Sequence, residues 1–227
     1  MGGVSARDVS AQLPPPDDLR GFPVRRLAPD APVFRAHQAR RSPWWFSSSG
    51  GRFDLSEPRG TCYVASSALV AVRERLGPVL AARSTLPAGA LDGVVVSRLT
   101  LARPPTAAQE HRGERALRLA NVRTAAAADF GVTRELESMT PYDVPVRWAA
   151  AFDAAGFDGV WYGPRFSPGA AGAVAAFGPA GQDDARAVDP EPVPVTQVAG
   201  VPAVVEPPRR RDLLVIEPPR GRVSRSR

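Results

Sequence analysis

The apolar positions of this chain come in short bursts whose period changes repeatedly between two and three-to-four residues. Val33-Phe34-Arg35-Ala36-His37 and Thr61-Cys62-Tyr63-Val64-Ala65 read as short strands. Ser66 and Ser67 then offer caps for a helix whose Leu69, Val72 and Leu76 fall at i, i+3 and i+7, with Gly77-Pro78 expected to stop it. The run Leu91 to Leu101, with Gly93-Val94-Val95-Val96 at its centre, is the clearest strand, because β-branched residues suit a pleated surface. Leu117-Arg118-Leu119 is a further candidate. Arg123 to Phe130 is Ala-rich and predicts a helix ending at Gly131, and Thr133 to Met139 predicts another short turn. Pro145 suits the first position of a helix over Val146 to Ala155, where Trp148 and Phe152 are i, i+4 neighbours. Residues 158–162 and 173–177 read as two strands joined by a Gly/Pro loop. Short strands alternating irregularly with short helices, without an internal repeat, predict an α+β fold with a mixed or antiparallel sheet.

The flanks break this pattern. Residues 1–31 carry Pro14-Pro15-Pro16 and little periodic apolar content, so they are expected to form a flexible leader outside the core. Residues 32–181 are expected to form the domain, and 182–227 a Pro- and Arg-rich extension, part tail and part sheet edge, in which only 193–198 and 213–216 weakly resemble strands. Between Arg41 and Gly51 the aromatic trio Trp44-Trp45-Phe46 precedes Ser47-Ser48-Ser49-Gly50, a long loop expected to lay its tryptophans over the sheet as a hydrophobic cover.

Composition narrows the function classes. All 29 basic residues are arginine, against 23 acidic ones, for a net charge of +6. From Glu206 to Arg227 seven arginines face three acids, a surplus of four, so the rest of the chain is nearly balanced and a basic nucleic-acid stripe across the fold is not expected. The tail is short, broken by Pro and Glu, and lacks interleaved aromatics. No apolar run nears the ~18 residues that a membrane span needs, and no secretory signal is evident. With Cys62 the single cysteine, a reduced cytoplasmic setting is the expectation. His37 and His111 are the two histidines, too few beside one cysteine to predict a metal site. Dinucleotide, phosphate-loop, metalloprotease, hydrolase and dithiol motifs are all absent.

The remaining candidate chemistry lies mainly in the first third. Arg35 sits on a strand, Gly51-Arg52-Phe53 follows the Ser-rich loop, Tyr63-Val64-Ala65 forms the next strand, and Glu74 lies on the helix after it. On a helix Glu74 falls about 140° from Leu69, off the apolar stripe, facing either a cleft or water. An arginine fork suits phosphate, a tyrosine face suits a flat ring, and a carboxylate stabilises an oxocarbenium-like state.

In their order and spacing these residues resemble the RES domain, a family of bacterial toxins that consume NAD. The later segments are similar too: Tyr142 to Ala150 with Arg147-Trp148-Ala149, then Gly156-Phe157-Asp158-Gly159-Val160-Trp161-Tyr162, and finally Ala173 to Gly178. The resemblance spans roughly residues 32–178. It implies an ADP-ribosyltransferase-like fold and NAD as the substrate, cleaved at the nicotinamide–ribose bond by phosphate or water. Glu74 and Arg35 would be catalytic, Arg52, Tyr63 and Arg165 would bind the dinucleotide, and no metal would take part. An Xre-type antitoxin is the implied partner. The sequence departs from the family where a serine is usual: Pro164 stands two residues after Tyr162, and the next hydroxyl is that of Ser167. Two alternatives therefore stay open, a degenerate site that binds a nucleotide or a partner without turnover, and a nucleic-acid-associated protein acting through its tail.

Overall fold

The computed structural model describes residues 12–82, 89–101, 116–167 and 169–201. His111 and the 206–227 tail, with the 213–216 strand expectation, lie outside these residues. Twelve elements follow in chain order: β1 (Val24–Leu27), β2 (Pro32–Gln38), β3 (Trp45–Phe46), β4 (Arg59–Ala65), α1 (Ala68–Ala82), β5 (Val94–Thr100), β6 (Leu117–Asn121), α2 (Asp143–Ala154), β7 (Gly159–Tyr162), β8 (Ala173–Pro179), β9 (Gly181–Gln182) and β10 (Val193–Pro194). Two 3-10 turns, Ala125–Phe130 and Arg134–Glu137, stand between β6 and α2. The fold is α+β, as expected.

Eight strands form one sheet in the order β1-β6-β7-β8-β4-β2-β5-β10, and β3 pairs with β9 in a second, small sheet. Only β6 and β7 run parallel; every other pairing is antiparallel. β4 pairs with β8 over seven residues and β2 with β5 over seven, yet β2 and β4 meet only at Phe34 and Ala65. The large sheet is thus two firmly paired halves joined at one point, and the strands diverge on either side of it.

Burial follows the alternation of the strands. One face carries an aromatic core in which Phe22 lies 4.8 Å from Phe152, Trp148 lies 5.4 Å from Phe152, and Phe53 lies 5.2 Å from Tyr162 between ring centres. The other face buries Trp44, Phe46, Cys62, Val64 and Leu99. A third cluster lies under α1, where Val72 and Leu76 meet Val94 and Val96 of β5.

Several expectations need correction. Residues 12–31 do not stand clear of the core: Leu19 and Phe22 are buried in it, and β1 pairs with β6. A few apolar residues suffice for this, even though the prolines at 14–16 keep their own stretch out of any regular element. Residues 182–201 likewise belong to the domain, because β10 extends the sheet from β5 and Val195, Val198 and Val201 pack beneath α1. Helix α1 runs through Gly77-Pro78 to Ala82: proline removes one helical N–H bond, and Val72 and Leu76 before it stay packed in the core. The ring of Phe166 occupies the space where a Gly77 Cβ would stand, 2.1 Å from its nearest atom. Pro145 is the third residue of α2, still within the first turn where its missing N–H has no intrahelical partner. The two tryptophans divide: Trp44 is fully buried and donates from Nε1 to the Ala187 carbonyl at 2.8 Å, whereas Trp45 is half exposed. Among the described residues no helix is long and apolar enough to cross a membrane.

Candidate active site

The cleft opens where β2 and β4 part. Its volume is about 720 Å³, and its walls come from β2, β4, α1, the second 3-10 turn and the loop after β7. Arg35, Arg52, Tyr63, Glu74 and Arg165, the five residues singled out in the sequence, all line it. Their roles in the architecture differ.

Glu74 points from α1 into the cleft. Its Oε1 accepts the Phe166 N–H at 2.7 Å and its Oε2 the Arg165 N–H at 3.1 Å, while the Ser167 hydroxyl stands 3.4 Å from Oε1. The turn at 164–167 therefore presents its donors to a carboxylate, and the Phe166 ring seated on Gly77 holds the turn against α1. Burial raises the Glu74 pKa, and these hydrogen bonds, which favour the charged form, offset part of that rise. Pro164 is buried, and Ser167, only 1% exposed, brings the nearest hydroxyl in sequence to Glu74.

Arg52 is 8% exposed, donates from Nη1 to the Met139 carbonyl at 2.8 Å, and lies with its guanidinium carbon 4.9 Å from the Tyr142 ring centre. Burial lowers its pKa, but an arginine keeps its charge. Arg165 extends over the Phe166 ring at the exposed margin. Arg35 is less available than its place on β2 suggests: its Nη1 donates to the carbonyls of Pro43 and Trp45 and to Cys62 Sγ, tying β2 to the loop before β4. Arg75, not singled out in the sequence, also reaches the cleft. Burial, followed by the nearby charges of Arg35 and Arg41, lowers its pKa.

Tyr63 turns its hydroxyl away from any ligand role. It donates to Asp54 Oδ1 at 2.7 Å and accepts the Phe53 N–H at 2.9 Å. Asp54, 2% exposed, also accepts the Ser47 hydroxyl at 2.7 Å and the Gly51 N–H at 2.8 Å. Burial and the Asp54 carboxylate push the Tyr63 phenol well up, so it stays neutral. Only its ring is left for the cleft. The Gly-Arg-Phe step now has a physical basis. A Cβ on Gly51 would lie 2.3 Å from Asp54 Oδ1, Arg52 enters the cleft, and Phe53 enters the core.

Sequence reading missed Asp54, Glu137 and Tyr162. Tyr162 lines the cleft at 9% exposure with its phenol raised by burial. Glu137, 6% exposed, lines the cleft and accepts the Gly163 N–H. Nothing in the sequence marks it, because Arg134-Glu135-Leu136-Glu137 reads as a solvated turn and only the tertiary structure buries the second acid. His37, left without a role in the sequence, bridges Ser97 Oγ at 2.8 Å through Nε2 and faces the Gln38 and Arg41 carbonyls through Nδ1. Among the described residues no group of three or more His, Cys, Asp or Glu could hold a metal ion.

A family model described as the RES domain matches residues 32–196. No curated protein matches the sequence. Among solved structures, a chain from the crystal structure of the M. tuberculosis MbcT-MbcA toxin-antitoxin complex is similar, with a TM-score of 0.50 and 15% identity over 68% of this chain and 75% of that one. At that identity the likeness concerns the fold.

Proposed function

The chain belongs to the RES domain family, and from that premise we propose that its cleft cleaves NAD at the nicotinamide–ribose bond as a growth-inhibiting toxin. The observation that carries this reading is a carboxylate, Glu74, held by two backbone N–H groups in the same cleft as Arg35, Arg52, Tyr63 and Arg165. Departure of nicotinamide leaves positive charge on the ribose, and a fixed carboxylate in a partly desolvated wall stabilises that charge without reorganising. Arg52 and Arg165 supply donors for the two phosphates, Arg52 pre-set by Met139 and Tyr142 and Arg165 from the margin. The ring of Tyr63 offers the flat surface for nicotinamide. A toxin of this kind needs restraint, and an antitoxin protein, of Xre type, covering the cleft would provide it; the similar fold comes from a toxin-antitoxin complex.

The test follows nicotinamide release from NAD by the purified protein, which is expected to occur with turnover and to fall by about 100- to 1,000-fold in Glu74→Gln. No release at stoichiometric protein would overturn the reading. Pro164 supports a second one, a pocket that binds nucleotide without turning it over. Pro164→Ser separates the two: turnover that appears only in this variant marks a decayed site, and turnover already present in the parent excludes that.

A further inference from the structure

Two carboxylates enter the cleft, and they grip one turn. Glu137 accepts the N–H of Gly163, and Glu74 those of Arg165 and Phe166. Gly163 and Arg165 are two residues apart, which keeps their nitrogens within about 7 Å of each other along the chain. The carboxylates differ in what they have left to offer. An ionised carboxylate has about four acceptor sites. Glu74 has three donors upon it, counting the Ser167 hydroxyl. Glu137 has two among the described residues, Gly163 N–H and Arg134 Nη1 at 3.3 Å, and Arg134 approaches from solvent with its side chain 87% exposed. Such an exposed partner returns little toward holding a charge in a side chain only 8% exposed. The amide oxygen of an uncharged glutamine would also accept the Gly163 N–H. A carboxylate kept there, with open lone pairs on a cleft wall, has the character of a base.

Resting on the NAD reading, we propose that Glu137 is the general base that makes water the acceptor in this cleft. Glu74, crowded by donors, stabilises the ribosyl cation, while Glu137 takes a proton from water. The water oxygen bonds to C1 of the ribose as the bond from C1 to the nicotinamide nitrogen breaks. The bonding pair leaves with neutral nicotinamide, the proton stays on Glu137, and ADP-ribose is formed. Phosphate, already an anion, needs no such base, and a second carboxylate repels it.

The experiment measures product and rate together. In phosphate buffer, the wild type is expected to release nicotinamide and form ADP-ribose with no ADP-ribose 1″-phosphate. Glu137→Gln keeps an acceptor for Gly163 and is expected to slow release about 100-fold, the scale of general-base assistance. Azide, a nucleophile with no proton to lose, is expected to restore release in that variant and to give the ADP-ribosyl azide; a merely structural role for Glu137 predicts no such rescue. Three results each overturn the proposal while leaving the NAD reading intact: an ADP-ribose 1″-phosphate product from the wild type, release by Glu137→Gln within roughly threefold of wild type, or a folded variant that azide does not rescue. The wild-type product decides the acceptor even if the variant fails to fold. Absence of any nicotinamide release is the distinct outcome that removes the NAD reading, and this proposal with it.

Discussion

Two polar clusters flank Tyr63, and they are built from the same kinds of groups to opposite ends. Around Asp54, the Tyr63 and Ser47 hydroxyls and the Gly51 N–H converge on a carboxylate that is 2% exposed. Around Glu74, two backbone N–H groups and a hydroxyl converge on a carboxylate that still lines the cleft. The first is closed: its donors come from two points of one loop and from β4, so it locks the loop to the sheet. The second ties a turn to α1 and leaves its charge in reach of a ligand. What separates them is not the donors but the strand geometry. Asp54 lies where β4 is firmly paired with β8, and Glu74 lies over the gap between β4 and β2.

Substitutions can break that contrast, beginning with the strongest. Glu74→Gln is expected to cut nicotinamide release by about 100- to 1,000-fold, the cost of removing one preorganised electrostatic group, with circular dichroism unchanged. Because burial raises the Glu74 pKa above the usual 4.5, wild-type activity should fall as pH drops through a value above 4.5. For stability the sign is opposite: a carboxyl whose folded pKa is raised binds its proton more tightly when folded, so its ionisation costs stability above that pKa and the cost is relieved below it. A pH–rate profile and melting curves over the same range check both. Asp54→Ala should act on the fold instead, leaving three donors without their acceptor and costing about 3 kcal/mol, read from the denaturant midpoint.

Gly77→Ala tests the link between helix and turn. Its Cβ would collide with the Phe166 ring, for about 1–3 kcal/mol of overpacking. As Phe166 moves, its N–H leaves Glu74, so activity should fall about tenfold, which corresponds to about 1.4 kcal/mol of lost stabilisation. Ser167→Ala should have the smallest effect, about two- to threefold on rate, because a contact at 3.4 Å is a weak hydrogen bond. A larger loss would mean that this hydroxyl does more than support Glu74.

Much of this was legible before any coordinates. Period-two runs located β2, β4, β5, β7 and β8, and a handful of spaced residues in the first third of the chain, with Arg165 after β7, marked the cleft. Elements held by distant packing were harder to read. Phe22 joins the core from a proline-rich stretch, and Val195 and Val198 pack under α1 from a segment that offered only a weak strand pattern. Each is a single apolar side chain whose partners lie far away in sequence. Arg35 looked like Arg52 on paper. Arg35 spends Nη1 on two carbonyls and Cys62 Sγ, whereas Arg52 holds one carbonyl and is stacked on Tyr142.

The order of residues by itself determined the strand and helix types, the apolar faces, and which side chains were worth watching, because these depend on local period and chemistry. Tertiary structure alone decided that the sheet is joined at Phe34 and Ala65 and parts beside them, that Asp54 is sealed and Glu74 is not, and that Glu137 shares the cleft. Those outcomes depend on how far apart two strands stand and on which loop crosses between them, quantities that no local pattern encodes.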